Sequence, residues 1–227
     1  MRRSQVFWSA SLAAALILAA AGYWGPWVSH RAAALVIPGL DLAEYVKFLP
    51  EYRDGRLRIV REGFYLPLLT LSLALSTLSW RGSVRWPTGL RAIGWLASIS
   101  TALAMLPPAW SPAVLRLSEF RLQVVAIGLC LVWAIAVPLW CRRRVAWLVW
   151  TIAALSLAAV VIPIVQFLTI RPALDRVYGR PIAIGWGPGV MAIGLALLAV
   201  SVVNLEGVAK IGRVGRKMAS TRPKASS

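Results

Sequence analysis

Long apolar runs separated by short, arginine-rich polar segments dominate the chain. Six runs are long enough to cross a bilayer: 6–23, 64–80, 92–108, 122–140, 145–170 and 182–205, with 18, 17, 17, 19, 26 and 24 residues. A helix needs about 20 residues, in a range of roughly 17–25, to traverse the hydrocarbon. The second and third runs sit at the lower limit. Ten-residue stretches of strict apolar–polar alternation are absent, so the pattern predicts helices and not a β-barrel. The predicted fold class is all-α, a polytopic transmembrane helical bundle of six spans. Residues 1–206 read as one transmembrane domain. Residues 207–227, with six basic residues among Gly, Ser and Pro, read as a disordered tail.

The one sizeable extramembrane region is the lid loop 28–63. In it Leu42, Tyr45, Val46 and Leu49 recur at helical spacing, with Asp41, Glu44 and Lys47 on the other side and Pro50 at the end. That predicts a short amphipathic helix lying flat on the outer membrane surface. Asp54-Gly55 between Tyr52 and Ile59 is a two-residue turn signal and predicts a small hairpin. Ser111-Pro112 reads as an N-cap followed by proline at the first helical position. Segment 171–181, with Asp175 and Arg176, reads as a solvated loop.

Composition supports the membrane reading. Of 227 residues, 59% are hydrophobic and 15% charged, and mean hydropathy is +0.71. A soluble domain carries about 25% charged residues; this chain lacks the polar groups to cover a water-facing surface. The net charge of +17 does not imply nucleic acid, which requires a basic face in water. Anionic lipid headgroups at the cytoplasmic face are the expected partner. With the N-terminus inside, inner segments carry 14 Lys and Arg against one acid, and outer segments 11 against seven. This asymmetry places both termini in the cytoplasm. The abundance of Arg over Lys suggests a GC-rich bacterial source, hence the bacterial inner membrane. Trp24, Trp27, Trp110 and Trp186 would mark the outer interface, and Trp80, Trp86, Trp140 and Trp147 the inner one. Arg2-Arg3, an apolar core and Ala19-Ala20-Ala21 also read as a signal peptide, whose cleavage would leave five spans.

The search for chemistry returns mainly an absence. None of the six runs contains Asp, Glu, Lys, Arg or His. A charge at the bilayer centre costs about 2.5–3.5 kcal/mol on insertion scales and is kept there for ion pathways or proton relays. Proton-coupled transport through this chain alone is therefore disfavoured. One histidine, His30, excludes a multi-histidine metal site; no cofactor and no catalytic residue is expected. Cys130 and Cys141, about 16.5 Å apart at helical rise, cannot bridge each other. The candidate cavity or partner surface consists of Gln123 and Gln166 near outer span ends, Gly185, Gly187 and Gly189 opening the sixth span, and the rim acids Asp41, Glu44 and Glu62. Glycines at membrane depth either unwind a helix for a substrate or let two helices approach closely. The general form is similar to small six-span membrane proteins of bacteria, a likeness of architecture only.

These observations imply a non-enzymatic membrane subunit or scaffold, associating with other chains or itself through small-residue faces at Ala13–Ala15 and Ala153-Ala154/Ala158-Ala159. The alternatives are a permease for an apolar or uncharged solute or lipid, with an outward cavity at the glutamines and glycines, and a membrane enzyme uniting His30 with Asp41, Glu44 or Glu62.

Overall fold

The computed structural model describes residues 2–29, 36–108, 110–140 and 147–220; expectations for His30, Cys141 and Arg142–Arg144 lie outside these residues. The structure is 79% helical. Its elements are α1 (Arg2–Trp24), β1 (Pro26–Ser29), β2 (Ile37–Pro38), α2 (Gly39–Tyr45), α3 (Pro50–Arg53), α4 (Leu66–Trp80), α5 (Thr88–Leu103), α6 (Arg121–Trp140), α7 (Trp147–Tyr178), β3 (Ala183–Ile184) and α8 (Gly187–Ser220). Among the described residues, five stretches are long and apolar enough to cross a membrane: Arg3–Trp24, Arg61–Trp80, Ser118–Leu139, Trp147–Tyr178 and Gly187–Val208. The expected third span is shorter than its apolar run. α5 has 16 residues, about 24 Å of rise, because the chain turns at Ala104–Leu106 ahead of Pro107-Pro108.

α4 is the central helix, touching α1, α5, α6 and α7. Its sequence explains how. Thr70, Ser72, Ser76, Thr77 and Ser79 are all buried. Most return a hydrogen bond to the carbonyl one turn back, as Thr77 does to Leu73 at 2.7 Å and Ser79 to Leu75 at 2.7 Å. Others reach across: Ser72 Oγ donates to the Ser98 carbonyl of α5 at 2.8 Å, and Trp133 Nε1 of α6 donates to Thr77 Oγ1 at 2.9 Å. In a medium without water such bonds contribute about 0.6 kcal/mol each on average, and small hydroxyl residues let the neighbours come close.

The most extensive helix pair is α1 with α8, and glycine decides it. A Cβ on Gly22 would overlap the Met191 backbone, and one on Gly194 the Ala19 backbone. Leu12, Ala15, Ala19, Leu195 and Leu198 fill the rest of the seam, and Ser11 hydrogen-bonds Ser201 at 2.7 Å. Gly194→Ala is expected to destabilise the protein by about 1–3 kcal/mol, because backbone cannot move aside as a side chain can. Gly128→Ala, with nothing within 4 Å of the new methyl, is expected to be neutral or to stabilise by up to about 1 kcal/mol. Thermal midpoints in detergent distinguish the two; equal effects would refute the close-approach account.

Hydrogen bonds fix the two ends of the bundle. At one, Arg85 N donates to Ser9 Oγ at 2.9 Å, Trp86 Nε1 donates to the Ser9 carbonyl at 2.9 Å, and Arg81 pairs with Glu206 at 2.8 Å. The start of α1 and residue 206 of α8 therefore share an end. At the other, Tyr23 Oη donates to the Phe64 carbonyl at 2.9 Å, and a small antiparallel sheet of order β2-β1-β3 closes the α1 and α8 ends.

Several sequence expectations are corrected here. No hairpin forms at Asp54-Gly55. Pro50 starts α3 instead of ending a helix, and Gly55, at φ 70°, takes the left-handed position just past its C-terminus. The expected flat helix is the seven-residue α2 followed by a 3-10 turn, Val46–Phe48. Leu42, Val46 and Leu49 are buried, so its apolar side is used up as a plug on the bundle. Ser111 does cap, accepting from Val114 N at 3.2 Å, but opens only a 3-10 turn. α7 does not stop at Ile170. It runs through Pro172 to Tyr178 and ends at Gly179, with φ 63°. Asp175 and Arg176 are therefore not loop solvation: Asp175 accepts from Ile182 N at 2.7 Å, and Arg176 pairs with Glu51 at 2.9 Å. The predicted tail continues α8 as far as Ser220. Trp27 and Trp86 are buried. Trp27 donates to the Gly22 carbonyl and packs edge-on against Phe167 at 5.5 Å, while Trp24, Trp80, Trp110, Trp147 and Trp186 are exposed as an interfacial belt requires.

Candidate functional site

At the sheet end of the bundle, the rim charges converge on Arg61. The 3-10 segment Arg61–Tyr65 buries this side chain to 4% exposure. Its guanidinium donates to Glu62 at 3.2 Å and to the Glu119 carbonyl, and lies 3.6 Å from Glu44. Glu44 in turn pairs with Lys47 at 2.7 Å and accepts from Tyr65 Oη at 3.1 Å. The Phe120 ring is touched by both cations, with Lys47 Nζ 4.4 Å and Arg61 Cζ 5.1 Å from its centroid. Two of the three expected acids, Glu44 and Glu62, are thus brought together, and they are spent on ion pairs. Asp41 stands apart in the first turn of α2. Desolvation, and secondarily the Glu44 carboxylate, raises its pKa above the ordinary value. Nearby, burial and the 3.2 Å hydrogen bond to Tyr178 push the Tyr45 hydroxyl up to about 12. The network latches α2 to the start of α6; a cavity of about 250 Å³ beside it is lined by Lys47, Tyr52, Arg61, Glu62 and Glu119.

Four of the other expected residues make contacts within the chain. Gln166 Nε2 donates to the Val60 carbonyl at 2.8 Å, and Gln123 Nε2 to that of Met105. Gln123 ties the start of α6 to the turn after α5, and Gln166 ties the C-terminal half of α7 to the lid segment before α4. Cβ atoms on Gly185 and Gly187 would strike the Pro26 and Gly22 carbonyls, respectively, so these glycines serve close approach. Gly189 faces open space. None of the cavities described here is lined by these five residues.

The feature that sequence reasoning missed is a lateral cleft. α6 and α7 both pack on α4 yet scarcely touch each other. Between them opens a cavity of about 430 Å³ with a floor of Leu69, Leu73 and Thr77 and walls that include Val132, Trp133 and Ile152. Its lining is almost wholly apolar, and Trp147 stands at one edge. The signal for the cleft was the hydroxyl pattern of α4, which seats both helices on one central partner. The small-residue faces are partly consumed within the chain, since Ala15, Ala153 and Ala159 are buried.

The chain matches no protein-family model, no curated protein sequence and no solved structure.

Proposed function

We propose that the chain is a non-enzymatic subunit or scaffold of a bacterial inner-membrane complex. It crosses the membrane six times with both ends cytoplasmic, α5 completing its crossing through the aromatic and proline residues at its ends. The observation that carries this reading is the α6–α7 cleft, which is sized and lined for an apolar segment of another membrane chain or of a second copy. The latch at Arg61 supports it, because Glu44 and Glu62 are held in ion pairs and not presented for acid–base chemistry. The cleft also motivates a second reading, a permease or holder for a lipid or apolar solute.

A photo-crosslinking side chain at Val132 or Leu155, in native membranes, separates the two. Adducts of one defined protein mass from both positions, and none from the exposed control Ile17, are expected. Lipid adducts alone would transfer the assignment to the second reading, and absence of any adduct from either cleft position would remove both.

A further inference from the structure

At the opposite end of the bundle, the arginines divide into two kinds. Arg81 is paired with Glu206. Arg91 spends its guanidinium on three carbonyls, those of Trp86, Ser79 and Val84, at 3.1, 3.4 and 2.7 Å. Arg3 and Arg85 are different. Among the described residues no carboxylate lies within ion-pairing distance of either; Arg85 reaches only Gln5 Oε1, at 3.4 Å from both Nε and Nη2. The two line one concavity of about 570 Å³ together with Val6 and Phe7. Val6 and Phe7 are 55% and 63% exposed. The walls are held in place, because Ser9 accepts the Arg85 backbone N–H while its carbonyl accepts the buried Trp86 indole. The site therefore sets two uncompensated guanidiniums beside an apolar ledge, at the level where a helix leaves the hydrocarbon.

We propose that this concavity binds one anionic phospholipid of the leaflet on the N-terminal side. Its phosphate lies between Arg3 and Arg85, and the upper part of an acyl chain lies on Val6 and Phe7. Guanidinium groups suit this role because their planar donor fork matches phosphate oxygens in pairs. The ledge selects an amphiphile over a free anion. The inference rests on the membrane location and not on the subunit reading.

The full chain, purified in mild non-ionic detergent, is titrated with phosphatidylglycerol, phosphatidylethanolamine and inorganic phosphate and read by native mass spectrometry. One phosphatidylglycerol is expected to bind in preference to phosphatidylethanolamine, with phosphate alone competing weakly. Each arginine near a membrane surface is worth about fivefold, so Arg3→Gln with Arg85→Gln is expected to weaken binding about 30-fold. Arg85→Lys, which keeps the charge, should retain most of the affinity, and Arg58→Gln at the far end should change nothing. Equal retention of both lipids, or an unchanged affinity in the double variant, overturns the proposal. Full competition by phosphate also overturns it. A chain that stays in solution without detergent would instead remove the membrane location.

Discussion

Arg61→Ala is expected to lower the thermal midpoint in detergent by roughly 10 °C. The estimate combines about 3 kcal/mol for breaking a buried ion-pair network from one side with a few degrees per kcal/mol for a chain of this length. The physical reason is asymmetry. Arg61 is the one cation in contact with Glu44, Glu62, the Glu119 carbonyl and the Phe120 ring together. Without it, Glu44 keeps Lys47 and Tyr65, but Glu62 and the Glu119 carbonyl lose a charged donor, and the α2 plug loses its tie to the start of α6. Arg61→Lys is expected to fall between, since a point ammonium cannot serve three acceptors held in different directions. The lid should loosen locally as well: tryptic cleavage at Arg53, Arg56 and Arg58, all exposed, should accelerate at temperatures where the helices remain intact. A midpoint within 2 °C of the parent, with unchanged cleavage, would show the latch to be incidental.

That latch illustrates what a sequence can disclose about such a molecule. The apolar runs were legible because bilayer thickness sets a length that the chain either meets or does not. Five of the six runs yielded helices that meet it; of the two runs at the lower limit, the second extended to Arg61–Trp80 and the third produced the short α5. Helix ends in water were less legible. Arg171 and Pro172 read as a stop, yet α7 continues past them, since proline in a helix forfeits one hydrogen bond and here Arg176 pairs with Glu51 of α3. Asp54-Gly55 was recognised as a chain reversal, but a glycine at positive φ serves a helix C-terminus as well as a hairpin; the bonds from Gly55 N to the Tyr52 carbonyl, 3.1 Å, and from Leu57 N to the Glu51 carbonyl, 2.9 Å, decide between them. For the candidate site, the lid acids were visible in the sequence, while the convergence of Glu44 and Glu62 on Arg61 was not, because an arginine before a span looks like any interfacial charge. Glycine at the start of the sixth span had two meanings, and the overlap with Pro26 and Gly22 selects close packing. The cleft depends on which helices fail to touch; the hydroxyls of the α4 run mark the shared partner but not the gap between its two neighbours.

The ion pair at the other end of the bundle sets a sharper test, because both partners are enclosed. Arg81 and Glu206 have side-chain exposures of 9% and 12% and meet at 2.8 Å, joining the end of α4 to α8 across 125 residues of chain. Removing either member strips its nearly dry partner of that counter-charge, and breaking a buried pair from one side costs about 3–5 kcal/mol. Glu206→Ala and Arg81→Ala are therefore each expected to reduce the thermal midpoint by roughly 10 °C or more. The double replacement Arg81→Met with Glu206→Leu is expected to recover most of that loss, since two apolar side chains in the same space need neither desolvation nor pairing. The cycle therefore predicts strong coupling, with the double variant more stable than either single one. Additive losses would mean that the two residues act independently and that their proximity does not hold α8 to α4. Coupled losses would show that the central helix is anchored at both ends by a buried arginine, at Arg61 and at Arg81, outside the apolar stretch between them.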